Sequence, residues 1–166
     1  MSKKLSQILE ICFESEKGRK PELRKITPNK NIARSHLEKA HSNLRAMKIM
    51  FDNDIFDWTV ICGYYAMYHA VLASLYYIGI SAYSHMCALS AFQKFYVKRG
   101  KVKNEYINYL QRAKQLEERY ALILNEAREN RVKVQYRTQM LTNDDAEWII
   151  EDAEDFVLKI EELLTE

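Results

Sequence analysis

The side chains best suited to move protons or grip a ligand gather in "YYAMYH", where Tyr64, Tyr65, Tyr68 and His69 occupy about one and a half helical turns. Ser84 and His85 follow as a second pair. A third group lies in "RENRVKVQYRTQM", whose Arg128, Arg131 and Arg137 offer planar forks for phosphate oxygens, with Tyr136 to stack or hydrogen-bond. The candidate ligand-binding residues are therefore Arg128, Arg131, Tyr136, Arg137, His69 and His85, and a phosphate-bearing ligand is what the arginines suit. Tyrosine hydroxyls and imidazole nitrogens on an apolar helix usually find hydrogen-bond partners. Whether Tyr64, Tyr65 and His69 face the core, a dimer seam or a pocket stays open at this point.

Other chemistries fit the sequence poorly. Cys12, Cys62 and Cys87 are odd in number and widely spaced, with neither a CxxC pair nor a metal-ligand spacing, and they read as reduced thiols. Apolar neighbours around Cys62 and Cys87 would raise their pKa values and blunt them as nucleophiles. Glu38 and His41 in "EKAH" have the Glu-x-x-His spacing of di-iron bundles, but the second such pair and the extra carboxylates are missing. Four unclustered glycines exclude a glycine-rich phosphate loop. No catalytic residue, metal or cofactor is assigned on these grounds.

The elements that must position these residues read as helices. Four Gly and two Pro in 166 residues leave little punctuation for sheets, and no convincing strand stands out. Residues 18–31 hold both prolines and form a linker behind a short amphipathic N-terminal helix. From about Asn31, Leu37, Ala40, Leu44, Met47 and Phe51 recur at three- and four-residue steps, so one helix buries a single stripe. Asp52 to Asp54 end it, and Asp57 is placed to cap the next. That second helix, about Trp58 to Tyr77, is apolar nearly all round and stops at Gly79. Its charge-free run is long enough to cross a membrane, yet its tyrosines, His69 and two glycines suit an enclosed core helix better. Ser84 caps a third helix to about Val97. A long fourth runs from Tyr106 to Ala127, and Ala146, Ile149, Ala153, Phe156, Ile160 and Leu163 mark the last, with Thr142 and Asp145 as a shortened capping box. The expected fold is all-α: an up-and-down bundle of four to five helices over 31–166, preceded by an extra N-terminal helix and linker over 1–30.

Charge is segregated along this framework. Residues 1–48 carry twelve basic and five acidic side chains (+7), residues 94–137 again twelve and five (+7), and residues 138–166 one and ten (−9). Either the acidic last helix neutralises the basic segments, or a basic face is left over for phosphates. The N-terminus lacks the apolar core of a signal peptide, so a cytoplasmic location without membrane attachment is expected.

The residues just described resemble the HEPN domain family (higher eukaryotes and prokaryotes nucleotide-binding). The likeness runs over roughly Asn31 to Leu164, through "ARSHLEKAHSNL", "YYAMYHA" with its glycine turn and "SH", "NEYINYLQRAKQLEERY" and the terminal "LTNDDAEWIIEDAEDFVLKIEELL". It implies a four- or five-helix bundle that forms homodimers, is often encoded with a small nucleotidyltransferase as a toxin-antitoxin-like module, and includes metal-independent ribonucleases. Those ribonucleases carry Arg, four to six residues, then His near the last core helix. Here Arg128 or Arg131 is present, but Gln135 stands where the histidine is expected, and no histidine follows His85. Glutamine cannot exchange a proton near neutral pH. "RSHLEKAH", Arg34 to His41, meets the spacing by count on the wrong helix. The sequence therefore ranks a non-catalytic binding or partner subunit first, a ribonuclease using His85 or His41 second, and a purely structural dimer third.

Overall fold

The stripe that begins near Asn31 becomes a helix because Asn29 closes its open end: the Asn29 Oδ1 accepts from the Ile32 amide at 3.0 Å. The computed structural model describes residues 2–14, 20–111, 114–115 and 142–165. In chain order these give α1 (Ser2–Phe13), β1 (Leu23–Lys25), α2 (Lys30–Asp52), α3 (Phe56–Tyr77), β2 (Ile80–Ala82), α4 (His85–Phe92) with a π-helical continuation Gln93–Val97, α5 (residues 105–111) and α6 (Asn143–Thr165). The fold is all-α, a helical bundle with an N-terminal helix beside it.

α3 is the centre. It packs against α2 and α6, which also touch each other, and α4 packs on it as well. Thirteen of its residues are buried, from Thr59 to Leu75, around its whole circumference. α2 supplies Ala40, Leu44 and Met47, and α6 supplies Ala146, Ile149, Ala153, Phe156 and Ile160, all buried as their spacing requires. At Gly63 the three central helices meet so closely that a methyl group would strike the Ile149 side chain and lie 3.0 Å from the Met47 sulfur.

Several expectations need correction. The 18–31 linker contains β1, which pairs antiparallel with β2, Leu23 opposite Ala82 and Lys25 opposite Ile80. Three-residue strands carry no readable alternation, so nothing in the sequence announced them. Asp57 is not the cap of α3, because the helix already begins at Phe56 with Ile55 in the cap position. Its carboxylate lies in the first turn, where the helix dipole favours it. Cys12 and Cys87 are not reduced thiols: they form a disulfide between α1 and α4, leaving Cys62 as the free cysteine among the described residues. Ser84 does cap α4, accepting from the Cys87 amide at 3.5 Å. The long fourth helix is described only at its start, where Tyr106 and Leu110 are buried. The Asp145 side chain lies outside the described residues. No described helix is long and apolar enough to cross a membrane.

Candidate functional site

Two helices crossing at the right height create the site. α2 brings His36 and α3 brings His69, and their Nδ1 atoms approach to 3.1 Å with ring centroids 5.3 Å apart. Tyr76, two turns further along α3, stacks on the other side of His36, again at 5.3 Å. The Ser84 cap starts α4 so that His85, its first residue, lies over α3. There Tyr64 Oη and His85 Nδ1 are 2.6 Å apart, and the Tyr68 ring stacks on His85 with centroids 4.0 Å apart. Tyr64 is fully buried and stacks edge-on against Tyr65. The result is one continuous run of rings, from Tyr76 through His36 and His69 to Tyr68, His85 and Tyr64.

Burial sets the proton chemistry. Desolvation, with His69 and the Lys39 ammonium nearby, holds His36 at about 4. His69 is lowered for the same leading reason, with Lys39 and His85 adding to it. Desolvation also pushes the Tyr68 hydroxyl up to about 12, so it stays a neutral phenol. With both imidazoles neutral, the 3.1 Å contact is a hydrogen bond only if one ring carries its proton on Nδ1 and the other on Nε2. The first ring then has a bare Nε2 that accepts, and the second an Nε2–H that donates. The pair is an acid and a base in one unit, and a proton taken at one end can be passed across Nδ1 and released at the other.

His69 and His85 are thus brought together, as two members of one cluster. Arg128, Arg131, Tyr136 and Arg137 lie outside the described residues. Sequence reasoning missed His36 and Tyr76: His36 was visible only as part of "RSHLEKAH", and its partner stands 33 residues away. The spacing decoy itself separates. His41 Nε2 meets Glu161 Oε2 on α6 at 3.1 Å, while Arg34 sits 3.9 Å from Glu38 on the exposed side of α2. Among the described residues no group of three or more His, Cys, Asp or Glu is arranged to hold a metal ion.

A buried helix carrying tyrosines and histidine, enclosed by three neighbours, is the architecture of a particular domain class. The chain belongs to the HEPN domain family, whose domain model matches residues 33–163. Among its relatives is the protein named "Putative toxin MJ0605" of Methanocaldococcus jannaschii, 32% identical over 130 residues that cover 78% of this chain and 87% of the relative. The UPF0332 protein glr0978 of Gloeobacter violaceus is 32% identical over 69 residues, 42% of this chain and 55% of that protein. These likenesses make the chain a HEPN bundle related to toxin-class proteins.

Proposed function

We propose that the chain is a toxin-class HEPN protein directed at RNA, and that the His36–His69 pair supplies the proton transfers of a metal-independent cleavage. The observation that carries this reading is the Nδ1 to Nδ1 contact of two neutral imidazoles, which makes one a proton acceptor and the other a donor. The RNA 2′-oxygen attacks the adjacent phosphorus as its proton passes to the bare Nε2. The bond from phosphorus to the 5′-oxygen breaks, and that oxygen takes the proton of the partner ring's Nε2–H. The products are a 2′,3′-cyclic phosphate and a 5′-hydroxyl, so atoms and charge balance without metal or redox equivalents. Tyr64 and Tyr68 hold His85 against the cluster. Arg128, Arg131 and Arg137 are assigned to phosphate contacts and Tyr136 to stacking. The active form is a homodimer that pairs with a small nucleotidyltransferase in a two-protein module, as the family likeness implies.

This ranking reverses the one drawn from the sequence, where the lack of histidine beyond residue 85 put a non-catalytic role first. The toxin-named relative and the histidine pair favour the ribonuclease. Gln135 at the family's histidine position supports the second reading, an RNA- or nucleotide-binding subunit without chemistry.

Incubation of purified protein with mixed RNA in the presence of a chelator separates them. Fragments ending in cyclic phosphate are expected, with His69→Ala and His36→Ala each lowering the rate by roughly a hundredfold or more. Equal cleavage by wild type and His69→Ala would remove the pair from the mechanism. Intact RNA, together with binding that Arg131→Ala weakens, would establish the binding subunit instead.

A further inference from the structure

Away from the histidine cluster, α1, the β1–β2 ribbon and the π-helical turn line an open cavity of about 1090 Å³. That is slightly above the volumes, roughly 300–1,000 Å³, in which proteins hold small molecules, as suits a cavity open to solvent on one side. Its inner wall is aliphatic and aromatic: Leu9 and Phe13 from α1, Leu23 and Ile26 around β1, Ile78 and Ile80 around the Gly79 turn. Gly79 is held at φ +81, and a side chain there would come within 2.5 Å of the Ile26 carbonyl oxygen, so the turn forms this wall only with glycine.

The rim has the opposite character. Arg24, Lys25, Lys94, Arg99 and Lys101 line the cavity against one acidic side chain, Glu10, which makes five positive charges to one negative, +4, among the described lining residues. Rings hold some of these cations in place: the Arg99 guanidinium lies 5.5 Å over Phe95, and the Lys101 ammonium 5.8 Å over Tyr96. The Tyr96 ring is fixed in turn by its hydroxyl, which donates to the Ser74 carbonyl at 2.8 Å. An apolar wall under a cationic rim matches a molecule with an apolar body and an anionic head. A nucleobase fits less well. Its edge needs directed hydrogen-bond partners that an aliphatic wall does not give, one face of Phe95 already carries a cation, and Tyr96 is buried.

We propose that this cavity binds a single-chain amphiphilic anion, an aliphatic acyl or alkyl group with a carboxylate or phosphate head, the chain against Leu23, Ile78 and Ile80 and the head on Lys94 and Arg99. The Cys12–Cys87 disulfide pins α1, which forms one side of the cavity, to α4, so the site exists before the ligand arrives.

Calorimetric titration with octanoate, decanoate and dodecanoate below their micelle concentrations tests the apolar wall. Each added pair of methylenes is expected to tighten binding roughly tenfold. Dodecyl phosphate against dodecanoate identifies which head is preferred, and dodecanol tests whether a charge is needed at all. Lys94→Glu with Arg99→Glu, two exposed positions whose exchange leaves the core intact, is expected to weaken dodecanoate binding at least tenfold. Affinity independent of chain length, dodecanol binding as tight as dodecanoate, ATP binding tighter than either, or no binding would each overturn the assignment.

Discussion

His36 and His69 are separated by 33 residues and meet only because α2 and α3 cross where they do. Each ring is kept neutral by burial, and this makes stability depend on pH in a definite direction. The folded His36 resists protonation until about pH 4, whereas the unfolded chain takes that proton near 6.5. Between those values the unfolded state binds more protons, so stability is full above pH 6.5 and is lost as pH falls toward 4. For a part-buried ring, partly screened by solvent, the loss is about 1–2 kcal/mol. Urea unfolding at pH 7.5, 5.5 and 4.5 measures it, and His36→Gln should flatten the His36 part of the profile. At this scale the sequence revealed half of the site. "YYAMYH" and "SH" stood out by type, but His36 had no local signal that could set it apart from the other histidine of "RSHLEKAH". Arg128, Arg131, Tyr136 and Arg137 remain proposals from residue type.

The helices were more legible because burial repeats along them. Leu37, Ala40, Leu44 and Met47 marked the inner stripe of α2, and Ala146 to Ile160 that of α6. The all-round apolar α3 was readable as the enclosed member, and its tyrosines as the reason it is not a membrane span. What escaped were devices without period: the three-residue strands, and the disulfide, whose partners lie 75 residues apart and share no motif. Gly63 shows how tightly the stripes meet. In Gly63→Ala the new methyl must displace Ile149 and press on Met47, one from α6 and one from α2. Overfilling of this kind costs about 1–3 kcal/mol. The midpoint of denaturant unfolding should fall accordingly with an unchanged slope.

Across the whole molecule the charge segregation is partly resolved by contact. Lys48 of α2 reaches Glu154 of α6 at 2.5 Å, and two turns along α6 Glu161 lies 3.1 Å from His41, so the acidic last helix does lie along α2. Such half-exposed pairs add little stability and align the helices more than they hold them. The disulfide is the stronger tie, since it removes freedom from the unfolded chain over a long loop. By the chain-entropy relation, reduction should lower stability by about 4 kcal/mol, measured as a shift in urea midpoint that Cys12→Ser with Cys87→Ser reproduces. The same bond gives the polypeptide the connectivity of a ring with two tails, a short one before Cys12 and a long one after Cys87. β1, α2, α3 and β2 all lie inside the ring. A protease that cuts any one peptide bond between Cys12 and Cys87 opens the ring and leaves a single covalent molecule, while one cut beyond Cys87 releases a separate piece.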